Sequence, residues 1–472
     1  MIDTESLESA KKKQSPAEIA NTLLSEHNFV CDRAGTTFRW NGKFWEDVPP
    51  VAMSQLALKA DGYRRSISNR RSEIIDQIKA RSYDADLEWG RVKDSEIAFE
   101  NGVLDFKIGK LREHRPADYL ERVLPWKWDA AAKCPVWQET LESWFGELSD
   151  ESGLSAGGEI EALQEFIGYS CTSHAKYKKA LFLLGESDTG KSVVAYVLAL
   201  LVGRARCCTL PLDEMNDPQA RAVIIGKAIN LITEIDSQAL IADGGFKTFI
   251  STEEPIHINA KYKQPFDYWP TAKHIFLSNN LPRLNDRTEA VLNRLLIVQF
   301  TRVFAPDEQD EMLQEKLAAE IPGILVWAVE GAKRLISHRG KFTQPTRAKA
   351  TLDQLRREAN PVLDFISERL AVSDTGTALS LSELVSVFNS WNKGSRGTNV
   401  RGLGKMLRAA GQVVKDVRHG EAILKSLVGF HLIEERAPAL LNVDQADVVS
   451  ERTEIASIAT PATGERVDGD ES

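Results

Sequence analysis

The chain has 472 residues, is 43% hydrophobic and 27% charged, and carries a formal net charge of −9. Such a length suggests about three domains at ~150 residues each, and the composition is that of a globular chain able to bury sizeable cores, not a fibrous or wholly disordered one. Its apolar runs are too short for a bilayer, Met1–Lys13 lacks the apolar core of a signal peptide, and the five cysteines form no Cys-x-x-Cys pair, so a membrane protein, a disulfide framework and a structural zinc are not expected and a cytoplasmic location is.

In chain order, residues 1–15 are polar and expected to be disordered, and a helix is expected from Ser15 to Asn28. Thr37–Glu46 reads as a hairpin because Asn41-Gly42 lies between two aromatic-bearing runs, and Asn101-Gly102 opens a second short β unit. An arginine-dotted, largely helical stretch separates them, so residues 16–150 read as a small α+β domain with no catalytic constellation of its own. Over residues 151–305 apolar strands alternate with helical segments, the pattern of an α/β nucleotide-binding domain. Residues 306–358 read as helices, with Trp327, Val329, Ala332 and Leu335 recurring near a period of 3.6. Residues 359–433 have the look of a winged helix-turn-helix, with Leu379–Trp391 and Val400–Ala410 as its helices.

Residues 434–472 form an acidic, aromatic-poor tail, expected to be disordered, in which ten acids face three arginines and which therefore holds most of the net charge. By contrast, Asn389–Phe430 contains Lys393, Arg396, Arg401, Lys405, Arg408, Lys415, Arg418 and Lys425 against Asp416 and Glu421. Distribution matters more than the sum, and this local basic patch keeps nucleic acid open as a partner.

The stretch richest in chemistry is Gly185-Glu186-Ser187-Asp188-Thr189-Gly190-Lys191-Ser192, which follows the apolar run Ala180–Leu184 and precedes the helix-compatible Val193–Leu200. Strand, glycine-bounded loop, then helix is the context of a phosphate-binding loop. Backbone N–H groups would converge on the β-phosphate, Lys191 would reach the β- and γ-phosphates, and Ser192 would hold Mg2+. The expected ligand is a nucleoside triphosphate.

A phosphate loop alone does not separate kinases from motors, so the next strand-end acid discriminates. Ala228–Asp236 supplies it: an apolar strand running into Glu234 and Asp236, carboxylates suited to binding Mg2+ and polarising the attacking water. Asp236 would share the face of Glu234 if the strand continues. A third apolar strand, His274–Leu277, runs into Ser278-Asn279-Asn280-Leu281-Pro282, where Asn279 can sense the γ-phosphate, although the segment alone reads equally as a turn. Arg294 precedes a fourth strand, where, projecting from a ring neighbour, it can serve as an arginine finger, with a surface ion pair as the alternative. Between the acid and asparagine strands, Pro255–Trp269 reads as a hairpin with Lys261, Tyr262 and Lys263 at its tip. Lysines for phosphates and a tyrosine for base stacking suit single-stranded DNA; an ordinary solvated hairpin is the alternative. Arg401, Lys405 and Arg408, spaced along one helix, are candidates for duplex contact or a solvated face.

In order, GESDTGKS, NLITEID, the basic hairpin, FLSNNLP and NRLLIVQF resemble superfamily 3 helicases, and more closely the phage, plasmid and poxvirus primase-helicase family. FRWNGKFWE, ENGVLDFKIGKLREHRPADYLERVLPWKWD and KCPVW look like the domain preceding the helicase there, and IPGILVWAVEGAKRLI and residues 360–432 like its lid and winged helix. The resemblance implies an AAA+-like P-loop ATPase core that uses ATP and Mg2+, assembles as a hexameric ring, and moves along single-stranded and forked DNA with central hairpins. By position it implies Lys191 and Ser192 as nucleotide and metal residues, Glu234 as the acidic motif, Asn279 as the sensor, Lys261–Lys263 as the pore loop, and Arg294 as the finger, with Arg287 and Arg283 as rivals. Two features depart from the pattern: Thr252-Glu253-Glu254 stands where relatives have Gly-Gly-Asp, and the acidic motif is Glu-Ile-Asp rather than two adjacent acids. No zinc-ligand cluster of a primase module is found, and any primase is expected to be a separate partner. The expected activity is therefore helicase action in phage, prophage or plasmid replication. A ring ATPase acting as a DNA-binding or defence switch without unwinding is the alternative, with a small-molecule kinase more distant.

Overall fold

Ser15 starts the first helix with a capping box: its Oγ accepts from the Glu18 N–H at 3.2 Å while the Glu18 carboxylate accepts from the Ser15 N–H at 2.6 Å. In this computed structural model the described residues are 14–62, 68–146, 157–235, 240–241, 243–261, 264–281, 283–284, 289–373, 378–392 and 397–433. They fall into two units, divided between Pro361 and Val362.

The first unit begins with α1 (Pro16–Glu26), the antiparallel strands β1 (Phe29–Cys31), β2 (Thr37–Trp40) and β3 (Trp45–Asp47), then α2 (Pro50–Ala60) and α3 (Ser68–Ser82). Ile19, Leu23, Met53, Ile74 and Ile78 form the core among the three helices. The Asn41-Gly42 hairpin is present, with Trp40 opposite Trp45. A second antiparallel sheet, β4 (Glu96–Phe99), β5 (Gly102–Asp105) and β6 (Lys110–Arg112), turns at Glu100-Asn101, with Gly102 opening β5, and leads to α4 (Pro135–Phe145).

Next come α5 (Glu159–Ser170), β7 (Ala180–Leu184), α6 (Lys191–Val202), β8 (Cys207–Cys208), β9 (Ile229–Ile232), β10 (Leu240–Ile241), α7 (Asp243–Ser251), β11 (Ile256–Ile258), β12 (Phe266–Tyr268), β13 (Lys273–Ser278), β14 (Arg283–Leu284), α8 (Glu289–Leu292) and β15 (Leu295–Gln299). Helices α9 (Leu313–Ala319), α10 (Ile321–Ser337) and α11 (Thr346–Ala359) follow. Five strands pair in the order β15-β7-β13-β9-β8, all parallel. All five residues of β7 are buried, as a parallel sheet covered on both faces requires.

Alternation along the strands assigns the two faces. Leu181, Leu183, Ile275, Leu277, Leu296 and Val298 point into a core with α5, α6 and α10 that also takes in Phe99, Trp137 and Trp144, so it draws on both sides of residue 150. Phe182, Phe276 and Ile297 point the other way, toward Phe246 and Phe249 of α7 and Leu352 of α11. On α10 Val329, Ala332 and Leu335 are buried, and a Cβ at Gly331 would lie 2.1 Å from the Gln164 carbonyl oxygen, so only glycine admits this approach to α5. Glu165, fully buried on α5, is paired with Arg334 Nε at 2.7 Å and accepts from Thr343.

The second unit contains α12 (Val362–Arg369), β16 (Leu370–Val372), β17 (Ala378–Ser380), α13 (Leu381–Trp391), α14 (Val400–Ala409), β18 (Val414–His419), β19 (Ala422–Val428) and β20 (Phe430–Leu432). Its core joins Phe365, Leu384, Phe388, Leu403, Leu407 and Leu427. Leu379 pairs with Leu427 in the β17–β19 ladder, so the helix expected from Leu379 starts two residues later, behind the Ser380 cap. Among the described residues no helix is long and apolar enough to cross a membrane.

His274, wholly buried on β13, meets Asn230 Nδ2 through Nδ1 at 3.2 Å and packs on Phe249 and Phe276. Burial alone lowers its pKa from 6.5 to about 3. A native pKa below the unfolded one means that stability is full above about pH 6.5 and is lost as the pH falls toward 3, by up to about 1.4 kcal/mol per unit. We expect urea-derived stability to decline from pH 7 to pH 4, and His274→Phe, which keeps a ring and takes no proton, to flatten that decline. Equal declines in the two proteins would contradict this.

Candidate functional site

Between β7 and α6 the backbone turns through Gly185 (φ +153°), Asp188 (φ +58°) and Gly190 (φ +101°). Positive-φ residues in a strand-to-helix loop are the backbone from which anion-binding concavities are made. Both glycines are also demanded by packing: a Cβ at Gly185 would meet the Phe300 carbonyl oxygen at 2.4 Å, and one at Gly190 would meet Trp144 Cε2 at 2.5 Å. Lys191, the first residue of α6, donates from Nζ to Gly185 O at 2.6 Å, to Glu186 O, and to Thr189 Oγ1 at 3.2 Å. Burial lowers its pKa, opposed by Asp188 and Glu186. The amine is thus held over the loop by acceptors that phosphate oxygens could replace. Ser192 is exposed beside it.

Parallel register brings the other candidates to the same edge. Glu234 lies two residues beyond the end of β9 and Asn279 directly after β13, and β13 sits between β7 and β9. Lys191, Ser192, Glu234 and Asn279 accordingly line one open cleft of about 1410 Å³, together with Ser187, Asp188, Thr189 and Gly190. The strand does not continue as the shared-face expectation for Asp236 required, because β9 stops at Ile232; Asp236 itself lies outside the described residues.

Arg294 is placed elsewhere. It precedes β15, whose first residue Leu295 pairs with Ala180, the first of β7, so Arg294 sits at the amino edge of the sheet while the loop sits at the carboxyl edge. Five residues at about 3.3 Å each separate the two edges by roughly 16 Å. Arg294 Nη1 donates to Ala290 O at 2.5 Å, and its Nε is buried without a hydrogen-bond partner among the described residues. Arg294 is therefore not among the described residues that line the cleft of its own chain. Arg283 lies in β14, paired with β10, and Arg287 lies outside the described residues.

The β11–β12 hairpin pairs Ile256 with Tyr268 and Ile258 with Phe266, and Lys261 is exposed at its tip; Tyr262 and Lys263 lie outside the described residues. At the hairpin's entry Thr252 takes φ +48°, Thr252 Oγ1 donates to Ala175 O at 3.2 Å, and Glu253 pairs with Lys178, contacts that fix the turn without glycine. On α14 Arg401, Lys405 and Arg408 are all exposed, opposite the buried Leu403 and Leu407, and the β18–β19 hairpin adds exposed Lys415, Arg418 and Lys425.

Several cleft residues were not singled out in the sequence. Glu139, Thr140, Ser143 and Trp144 of α4 form one wall, Tyr196 and Arg204 another, and Phe304 with Glu308–Glu311 a third. Arg204 stands over the Tyr196 ring at 5.6 Å. Nothing in the pattern of α4 distinguishes Trp144 from a core aromatic, whereas Gly203-Arg204 at a helix end is a signal that could have been read. Among the described lining residues, carboxylates outnumber the cations Lys191 and Arg204, so a polyanion entering the cleft needs added positive charge.

Mixed α/β architecture around a parallel sheet defines the class of this protein. Residues 17–146 match a family model described as D5 N terminal like, and residues 183–294 match one described as a family of unknown function, DUF5906. The chain is 23% identical over 238 residues to the helicase-named protein 121R of Invertebrate iridescent virus 3, covering 47% of this chain and 25% of that one. It is 20% identical over 317 residues to the helicase-named protein 184R of Invertebrate iridescent virus 6, covering 59% and 32%. The chain thus spans about a quarter to a third of the length of these viral relatives. A solved apo structure of the NrS-1 C terminal region is similar at a TM-score of 0.52 and 13% identity, covering 89% of this chain and all of that one, which is a likeness of fold.

The close approaches at the loop make a direct test. Gly190→Ala places a methyl group against Trp144 at a left-handed φ and is expected to cost about 2–3 kcal/mol in urea unfolding. Wild-type stability in that variant would contradict the described packing.

Proposed function

We propose that this chain is an ATP- and Mg2+-dependent DNA helicase motor that works as a ring-shaped homo-oligomer, a hexamer, on single-stranded and forked DNA in phage, prophage or plasmid replication. The observation that carries the reading is the convergence of Lys191, Ser192, Glu234 and Asn279 on one cleft at the carboxyl edge of the sheet. The D5-like N-terminal match and the helicase-named relatives support it.

In this reading the loop Gly185–Ser192 holds the triphosphate and the Lys191 amine exchanges its carbonyl acceptors for phosphate oxygens. Glu234 polarises the attacking water, and Asn279, between the loop and Glu234, senses the γ-phosphate. The donor set fits Mg2+: a hydroxyl and one or two carboxylates are what this ion takes from a protein when phosphates supply the rest, and Ser192 and Glu234 line one cleft. Bound Mg2+ would supply charge neutralisation across the phosphates.

A hydrolysing chain must complete a site that its own Arg294 does not line, and a neighbouring copy offering its amino edge would bring that arginine in. This is the physical basis for the ring. The hairpin carrying Lys261, Tyr262 and Lys263 contacts the DNA backbone and bases. The second unit acts as a winged helix, with Arg401, Lys405 and Arg408 against duplex phosphates. A separate primase would supply primers.

Forked-duplex unwinding tests this. Wild type is expected to displace the strand, Lys191→Ala to lose hydrolysis and unwinding, and Lys261→Ala/Lys263→Ala to keep nucleotide binding while losing DNA-stimulated turnover. DNA affinity should fall steeply with salt. Hydrolysis that never displaces a strand would contradict the helicase reading.

A further inference from the structure

The two glycines that bound the phosphate loop are gripped by one aromatic pair. Phe300, directly after β15, places its carbonyl oxygen 2.4 Å from where a Gly185 Cβ would be, and its N–H donates to Leu184 O at 2.7 Å. Trp144, in α4, presents Cε2, Cζ2 and Nε1 at 2.5, 2.7 and 2.7 Å from where a Gly190 Cβ would be, so the indole edge carrying the N–H faces the loop. The two rings meet each other edge to face, with centroids 5.6 Å apart.

The grip is braced from outside the loop. Arg302 Nη1 donates to Ser143 O at 3.1 Å, tying the end of α4 to the segment after β15. Two residues on, the Phe304 N–H donates to Asp188 O at 3.1 Å, where the loop takes its left-handed turn. Trp144 is 6% exposed and lines the cleft, whereas Trp137, about two helical turns earlier and 5.9 Å from it, is wholly buried and does not line it.

We infer that Trp144 is a positioning residue of the nucleotide site: its indole edge holds Gly190, and through it the start of α6, in the conformation that receives the phosphates. The N-terminal segment matched by the D5-like model is then a structural part of the nucleotide site through α4, and the loop is set by residues on both sides of residue 150. This rests on the nucleotide-binding reading above. A ring that fixes the loop in both ground and transition states contributes uniform binding, so its loss raises KM and the binding constant and leaves kcat nearly unchanged. A ring that only fills the core would change neither.

The test compares full-length Trp144→Phe with Trp137→Phe, using a fluorescent ATP analogue for affinity, steady-state hydrolysis, and thermal melting. Both substitutions shrink a ring in the same aromatic cluster, so both are expected to lower the melting temperature by a few degrees. Only Trp144→Phe should weaken analogue binding, by about tenfold, with KM following and kcat within about twofold. The inference is overturned if the two variants bind the analogue alike or if Trp144→Phe lowers kcat alone. Wild type that binds no analogue would overturn the nucleotide reading as well, and so is distinguished from failure of the Trp144 role alone.

Discussion

Parallel pairing of β7 with both β13 and β15 is the constraint on which the rest depends. In such a sheet every residue that follows a strand emerges at one edge and every residue that precedes one lies at the other. The loop, Glu234 and Asn279 all follow strands; Arg294 precedes one. One register therefore makes a cleft from the first three and removes the fourth from it by roughly the length of a strand. Burial of β7 on both faces keeps this arrangement rigid, since slipping the register by one residue would exchange Phe182 and Phe276 with the side chains of the opposite core.

A second layer of constraint acts on the loop. Its glycines permit positive φ, but what selects the observed path is the material pressed against them, the Phe300 backbone at one end and the Trp144 ring at the other. Because Trp144 belongs to the core that also contains Phe99, Phe166 and Ile324, the sheet, α10 and α4 set the loop together. Electrostatics adds to this: among the described lining residues carboxylates outnumber cations, which matches a polyanion poorly unless further positive charge joins them.

Much of this was legible in the sequence where chemistry coincides with local pattern. Asn41-Gly42 and Asn101-Gly102 mark the hairpins because asparagine and glycine concentrate where a chain turns, and the apolar run before Gly185 marks β7 because a doubly covered strand is apolar throughout. The order of motifs brought Lys191, Ser192, Glu234 and Asn279 to notice, and the structure gathers them. That Arg294 precedes a strand was legible, and parallel pairing then puts it at the amino edge, but strand order was not. Nor was Trp144, since an aromatic at helical spacing in a buried helix carries the same signature whether it touches a loop glycine or another ring. The shared face of Asp236 depended on β9 continuing past Ile232, where its pairing ends.

In the function proposed above, the cleft at one edge and Arg294 at the other belong to one site only when two copies meet. Mixing two inactive variants measures this directly. Lys191→Ala keeps the arginine and loses the loop cation; Arg294→Ala keeps the cleft and loses the arginine. Each alone is expected to hydrolyse little ATP, and the mixture is expected to regain turnover with a maximum near equal proportions, because some interfaces then pair an intact cleft with an intact arginine. Arg294→Ala that hydrolyses ATP like wild type, or a mixture no more active than its components, would contradict the account.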